Sequence, residues 1–326
     1  MSLLLGTREG VYHVADLATA DPSVDRVLDA GAKVYGLAAV GDATLAATAA
    51  GLFRSTTLDD WRRLDLPGDR EFVTAVAGSP DGERCYAGTL PAACYWSDDA
   101  GQTWRESDGF GAIASRDRWW NPDVTPHLRT FATHPAAPDR LVAGVDGGGV
   151  HVSDDRGATW SERRGGIVSF VHDLVALGPE EYVAATDAGV FWTLDGGRWW
   201  DYCYGDLTRH RYFRGVFVDG HTVYSGGARS HPGDWGGDRG ADAALYRLEL
   251  GPPPTDEPGA RTLAVDVEPY PGEPREVVLS GATVDGGLVA GTNEGRLLRR
   301  TADGWTTAAT LDSGSQVRCL LAVGAP

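Results

Sequence analysis

Ser97-Asp98-Asp99-Ala100-Gly101-Gln102-Thr103-Trp104 is followed fifty-six residues later by Ser153-Asp154-Asp155-Arg156-Gly157-Ala158-Thr159-Trp160, and both fit S-x-D-x-G-x-T-W. A third, worn copy reads Thr193-Leu194-Asp195-Gly196-Gly197-Arg198-Trp199-Trp200. Each phrase lies between apolar segments, such as Gly149-Val150-His151-Val152 ahead of the second. It therefore marks the reversal of a β-hairpin. The Asp side chain accepts hydrogen bonds from loop N–H groups that would otherwise be unpaired. The Gly supplies a positive φ. The Trp lays a large apolar face on the strands beneath.

Upstream of these loops runs a second signal, an apolar stretch ending in small residues. It reads Leu4-Leu5-Gly6-Thr7, Leu45-Ala46-Ala47-Thr48, Tyr86-Ala87-Gly88-Thr89 and Val142-Ala143-Gly144-Val145. It continues with Ala184-Ala185-Thr186, Tyr224-Ser225-Gly226-Gly227 and Val289-Ala290-Gly291-Thr292. The small residues at 6, 47, 88, 144, 185, 226 and 291 are spaced by steps of 41, 41, 56, 41, 41 and 65. Repeated steps of one length mark a repeat array. Seven copies of a unit long enough for four short strands predict an all-β, seven-bladed β-propeller.

One unit places strand A at Val34–Val40, B at Thr44–Thr48, C at Gly51–Ser55 and D at Trp61–Leu66. The innermost strands are apolar runs with small residues, as expected where both faces are covered. The chain begins with a strand B and lacks the strand A before it. The segment 316–323, Gln316 to Val323, follows the seventh unit with no partners after it. It is predicted to join the N-terminal blade beside Leu3–Thr7 and close the ring, leaving no open edge. Residues 1–326 read as a single propeller domain, with insertions at 107–127 and 228–243.

The repeated loops resemble the Asp-box, or BNR repeat, of sialidase-like and WD40-YVTN-BNR-like β-propellers. That resemblance implies an architectural role for Ser97, Asp99, Gly101, Thr103 and Trp104, for Ser153, Asp155, Gly157, Thr159 and Trp160, and for Thr193, Asp195, Gly197 and Trp200. Sialidases use three arginines, a Tyr/Glu pair and an Asp. They have six blades, whereas this chain reads as seven and carries no Phe/Tyr-Arg-Ile-Pro segment near its N-terminus. Other seven-bladed Asp-box proteins include glycosidases with two carboxylates, whose separation decides the stereochemical outcome. They also include photosystem assembly factors that hold a partner on an arginine patch, and sorting receptors that bind peptides.

Net charge is −17, from 46 acidic and 29 basic residues, and Lys33 is the sole lysine. This is the composition of a salt-adapted, halophilic archaeal proteome or of a GC-rich bacterial one. The acidity argues against generic nucleic-acid or anionic-membrane binding. The N-terminal apolar run is far shorter than a signal-peptide core, and no stretch reaches membrane-spanning length, so a cytoplasmic location and no membrane insertion are expected. Cys85, Cys94, Cys203 and Cys319 show no C-x-x-C spacing. Cys85 and Cys94 fall on one predicted hairpin, so a bridge stands as an alternative to four reduced thiols.

Propeller topology puts the D-to-A and B-to-C connections on one face, the top. The repeated C-to-D loops lie on the bottom. The long steps place Arg116, Asp117, Arg118, Trp119, Trp120 and His127 on top, and likewise Arg229, His231, Asp234 and Trp235. Further D-to-A connections add His172, Asp173, Arg209, His210, Arg211 and Tyr212. Arginines suit carboxylate or phosphate, and tryptophans suit sugar faces or protein anchors. Each has a plainer reading as well: Trp119 and Trp120 as a plug, the histidines as satisfied polar groups, the aspartates as turn caps. No spacing suggests a metal site or a cofactor. The expectation is a monomeric, non-catalytic propeller recognising a protein partner or a small anionic or carbohydrate ligand on its top face. The alternative is a glycoside hydrolase acting on a small glycoside through two top-face carboxylates, drawn from Asp117, Asp123, Asp173, Asp206, Asp234 and Asp238.

Overall fold

A computed structural model describes residues 2–324 except 18, 20, 21, 124, 169, 204–208, 236–239 and 252–262. Among the described residues, the strands form seven four-stranded antiparallel sheets and there is almost no helix. Blade 1 is Cys319–Val323, Ser2–Gly6, Val11–Val14 and Val24–Leu28. Blade 2 is Val34–Val40, Ala43–Thr48, Gly51–Ser55 and Arg62–Leu64. The innermost strands of blades 3 to 7 are Val73–Gly78, His127–His134, Val171–Ala176, Tyr212–Asp219 and Val278–Val284. Each innermost strand packs on the next, and the last returns to the first, so the ring is closed. Among the described residues, no helix is long and apolar enough to cross a membrane.

Closure comes from the C-terminal strand, as the unpaired segment at each end of the chain predicts. Ser2 pairs with Val323, Leu4 with Leu321 and Gly6 with Cys319, all antiparallel. The strand itself is Cys319–Val323, shorter than 316–323, because Gln316, Val317 and Arg318 hydrogen-bond along the rim before the ladder begins. Val317 N–H donates to the Thr292 carbonyl and Arg318 N–H to that of Gly6.

The small residues that set the repeat have a steric cause. A side chain on Gly226 would lie 1.9 Å from the Val278 carbonyl oxygen, on the innermost strand of the next blade. At Gly291 it would lie 2.3 Å from Val317 Cγ1, and at Gly88 2.6 Å from Leu128 Cδ2. Strand B of one blade is pressed against strand A of the next, and only a small residue fits between them. The apolar strands otherwise bury their side chains between blades. Leu3, Val14, Val289 and Val317 pack together, as do Leu45, Val73, Ala87 and Tyr95.

The repeated loops are held by their Asp and Ser/Thr side chains. Asp99 Oδ1 accepts from the backbone N–H of Gln102 at 2.9 Å and of Thr103 at 2.8 Å, while Thr103 Oγ1 donates to Oδ2 at 2.6 Å. Ser97 Oγ accepts from Gly101 N–H at 3.0 Å, and Trp104 Nε1 donates to the Gly101 carbonyl at 3.0 Å. Asp155 repeats this with Ser153 and Thr159, and Trp160 repeats it with Gly157. In the third loop Trp199 stands where the Thr should be. Its backbone N–H still reaches Asp195 at 2.9 Å, and Trp200 turns its Nε1 to the Arg163 carbonyl instead. The loop geometry demands left-handed backbone at Gly101 (φ 80°) and Gly157 (φ 90°).

Partial burial raises the Asp99 pKa, but the bonds from Thr103, Ser97 and Gln102 outweigh it and pull it down to about 2. A carboxylate whose folded pKa is depressed contributes stability above its unfolded pKa and loses it as pH falls through the folded one. Asp99→Ala is therefore expected to destabilise by about 1–2 kcal/mol at pH 7, after allowing for exposure, and by much less near pH 2. Urea midpoints of wild type and variant at the two pH values check this.

Cys85, Cys94, Cys203 and Cys319 are all free thiols, so the Cys85–Cys94 bridge does not form. Burial pushes the thiol pKa values of Cys85, Cys203 and Cys319 up to about 12.

Candidate functional site

The central channel has a repeated local irregularity. In six blades the pairing of strands A and B slips near the top of strand A. The slip falls between Val34 and Gly36, Val73 and Ala75, Leu128 and Thr130, Val171 and Asp173, Phe213 and Val216, and Val278 and Ser280. A bulge leaves one residue out of the ladder and re-aims its side chain. Those residues are Tyr35, Thr74, Arg129, His172, Leu279 and, in blade 6, where Gly215 leaves the ladder with it, Arg214. In blade 1 the matching position is Arg318, one residue ahead of the paired strand. These seven side chains, one per blade, all line both of the cavities that occupy the channel, and so form its waist.

Three of the seven are arginines, from blades 1, 4 and 6. Arg129 pairs with Asp146 at 2.9 Å and donates from Nε to the His172 carbonyl at 3.1 Å. Arg214 has no carboxylate partner among the described residues and reaches the Tyr212 hydroxyl at 3.2 Å. Arg318 stacks its guanidinium 5.1 Å from the Tyr35 ring centre and touches Gln316 Oε1 at 3.4 Å, while its Nε is buried without a partner. Burial first, then the charges of Arg214 and Arg129, hold the Arg318 pKa down to about 9. Burial and Arg129 lower that of Arg214. At the channel mouth, burial and then Arg318, Arg8 and Arg214 lower that of Lys33. Cations that depress one another mark a site short of negative charge.

The waist separates two chambers. The upper one has a volume of about 430 Å³ and opens among the top loops. The layer two residues above the waist supplies Lys33, Phe72, His127, Phe170, Tyr212 and Gln316. Arg8, Leu90, His231, Pro232 and Trp235 add to the wall, as do Asn121, Pro122 and the carboxylates Asp123, Asp146 and Asp187. The lower chamber, about 220 Å³, is walled two residues below the waist by Leu37, Val76, Phe131, Val216, Gly281 and Leu320. A girdle with three arginines thus lies between a mouth rich in aromatic side chains and a lower chamber of mixed lining, Thr130, Asp173 and Ser280 among it.

Of the carboxylates in the channel, Asp146 and Asp173 are committed and Asp187 is not. Asp146 binds Arg129 and accepts from Asn121 Nδ2 at 2.8 Å. Asp173 is half-buried and accepts from Thr130 Oγ1, Leu174 N–H and Val216 N–H, and desolvation raises its pKa despite them. Asp187 lines the upper chamber with Oδ1 buried and without a hydrogen bond. Burial, then the charge of Asp146, raise its pKa to about 6.

Of the residues singled out from sequence, His127, His172, Tyr212, His231 and Trp235 line the upper chamber, and Asp173 the lower. His172 hydrogen-bonds the Phe213 carbonyl through Nδ1 at 2.6 Å, and burial keeps it neutral by lowering its pKa far below the usual value. Burial and Arg129 lower that of His127 to about 4. The remaining residues serve elsewhere. Arg116 donates to the Ala92 carbonyl at 2.7 Å and lies over Trp119, whose ring packs on Phe110 and His151, so both pin the 107–127 segment to the blades below. Asp117, Arg118, Arg211 and Asp234 are exposed. Arg209 and Arg229 share Asp242, at 2.9 and 2.6 Å. His210 is closed off between the Tyr246 hydroxyl and the Asp242 carbonyl, each at 2.5 Å. Trp120 is 64% exposed and meets the Phe170 ring edge-on at 6.5 Å, just outside the mouth. Asp206 and Asp238 lie outside the described residues. Among the other carboxylates considered, Asp123 stands at the mouth.

Sequence reading missed Arg129, Arg214 and Arg318 as a set. The signal was there: Leu128-Arg129, Phe213-Arg214 and Val317-Arg318 fill the same column of the repeat as Val34-Tyr35 and Val171-His172. Arginine within an apolar inner strand breaks the pattern that the rest of the strand obeys.

No protein-family model matches the chain, and no curated protein matches it by sequence. Similar solved structures are numerous. An ancestral GH74 enzyme superposes with a TM-score of 0.61 at 15% identity, over 84% of this chain and 38% of its own. The GH74 xyloglucanase from Xanthomonas campestris gives 0.58 at 17%, over 84% and 45%. YCF48 bound to D1 peptide gives 0.55 at 14%, over 84% and 80%. The chain spans under half the length of the two GH74 structures. At such identities the shared feature is the seven-bladed propeller, a fold carried by enzymes and binding proteins alike.

Proposed function

We propose that this chain is a binding propeller that seats a small organic anion, a carboxylate or phosphate, on Arg129, Arg214 and Arg318. The observation that carries the reading is the placement of three guanidiniums at equivalent positions of the waist, two of them with no carboxylate partner among the described residues. Burying charge without a counter-charge costs stability. A ligand oxyanion supplies the missing partner, and guanidinium binds it bidentately. A cavity of this volume suits a small molecule. The Ser/Thr-x-Asp loops are read as Asp-box clips at the far end of the blades, without a part in binding. A peptide bearing a carboxylate presents the same chemistry, as a propeller neighbour bound to a peptide suggests. Titration with citrate and inorganic phosphate, beside an acidic peptide, separates the two sources.

Calorimetric titration at low ionic strength is the test. Saturable binding of citrate or phosphate supports the reading, and heats of dilution alone overturn it. The pH dependence adds a second check. Above pH 6 the Asp187 carboxylate is charged and opposes an anion in the upper chamber, and below pH 6 it is neutral. Sulfate, whose charge is constant there, is expected to bind several-fold tighter at pH 5 than at pH 8. Asp187→Asn should flatten that difference by strengthening binding at pH 8.

A glycosidase reading rests on Asp146 and Asp187 sharing the upper chamber, one ion-paired and one with a raised pKa. For a neutral glycoside the three arginines oppose it, because an oxocarbenium-like transition state is cationic and such a substrate brings no carboxylate to meet them. Turnover of nitrophenyl glycosides by the wild type, lost in Asp187→Asn, would reverse the preference.

A further inference from the structure

Resting on that reading, we infer that the anion carries a flat aromatic ring, with its charged group at the waist and its ring in the upper chamber. The layers along the channel differ in kind. The waist carries three guanidiniums, while three of the six side chains in the layer two residues above are the rings of Phe72, Phe170 and Tyr212, beside Lys33, His127 and Gln316. These rings are held in place by other rings. Phe72 packs on Tyr35 at 5.5 Å between centres. Tyr212 is wedged by His172 at 4.7 Å, His231 at 5.4 Å and Trp235 at 6.3 Å. The exposed Trp120 extends the surface beyond Phe170 to the rim.

The spacing fits one molecule. Two residues along a strand advance about 7 Å. That is the reach of one hydrogen bond from a guanidinium plus a carboxylate or phosphate joined directly to a ring. An acid without a ring leaves the mouth aromatics facing water. A neutral ring leaves Arg214 and Arg318 uncompensated. Rings that meet at offset or edge-on angles favour a flat partner over a puckered one.

Titration of the wild-type protein with acetate, benzoate, cyclohexanecarboxylate and benzamide decides this, with inorganic and phenyl phosphate distinguishing the head group. Benzoate is expected to bind at least tenfold tighter than acetate and severalfold tighter than cyclohexanecarboxylate, with benzamide not binding. Phe72→Leu combined with Phe170→Leu should bring benzoate to the acetate level, and a wild-type circular-dichroism spectrum with a cooperative urea transition shows that the variant is folded. Equal binding of acetate and benzoate overturns the ring subsite and leaves the anion reading standing. Benzamide binding as tightly as benzoate, or no binding of any acid, overturns the anion reading itself.

Discussion

Replacing Arg214 and Arg318 together with Met should make the protein more stable and abolish its anion binding. The two effects share one cause. In the free protein these guanidiniums are drawn into the channel wall without carboxylate partners among the described residues; burial, then Arg129, lowers the pKa of Arg214, and burial, then Arg214 and Arg129, that of Arg318. Apolar residues of similar volume in place of buried charges are often stabilising by about 1–4 kcal/mol. A chain of this length should gain a few degrees in Tm. The ligand meanwhile loses two charge-assisted contacts of about 1.5–3 kcal/mol each. Affinity for citrate or benzoate should fall at least 100-fold. Thermal scans with and without ligand read both at once: the wild-type Tm rises with added anion, and the variant starts higher and does not move. A variant that is less stable and still responds to the anion would mean that the arginines are structural. Arg116→Met gives the contrast. That guanidinium is already satisfied by the Ala92 carbonyl and the Trp119 ring. Its loss should loosen the 107–127 segment without changing anion affinity.

The ring of blades could be read from the chain because its cause is local and repeats. A small residue recurs where strand B passes under the next blade, and a Ser/Thr-x-Asp-x-Gly loop recurs where strand C turns. Closure was readable for the same reason, since a strand A without partners at one end matched a strand B without partners at the other. The waist of the channel was harder to see. Its residues come from seven distant segments, each contributing one side chain, and no short window contains two of them. The residues that stood out, such as Arg209-His210-Arg211 and Arg116-Asp117-Arg118, are dense in charge because they lie in loops. There they find local partners or water. Arg129 and Arg318 attracted no notice because each sits alone among apolar neighbours. A lone charge in an inner strand carried more information than the charged runs, since a chain tolerates it only where the strand faces something other than core.

Gly226→Ala is expected to be among the most damaging single methyl additions to this chain. The new Cβ would lie 1.9 Å from the Val278 carbonyl oxygen, 2.8 Å from its carbon and 3.1 Å from Val278 Cβ. The first two of these atoms are backbone, on the innermost strand of blade 7, so no rotamer change relieves the clash. That strand is confined on its other side as well, where Ser280 hydrogen-bonds the Val317 carbonyl of the closing segment at 3.3 Å. Moving it away from blade 6 therefore presses it into blade 1. Overpacking in a core costs about 1–3 kcal/mol when side chains can adjust. With backbone on both sides, at least about 3 kcal/mol is expected, a loss reserved for a few mechanisms of this kind. Gly111→Ala is the control, because nothing lies within 4 Å of its added Cβ and its φ is not positive. Urea denaturation should show a midpoint far below wild type for Gly226→Ala and one within error of it for Gly111→Ala. Anion binding, measured well below the variant's midpoint, should weaken too. Leu279, which follows Val278, stands in the waist between Arg214 and Arg318, so a shift of this strand changes the spacing of the two arginines that share the ligand.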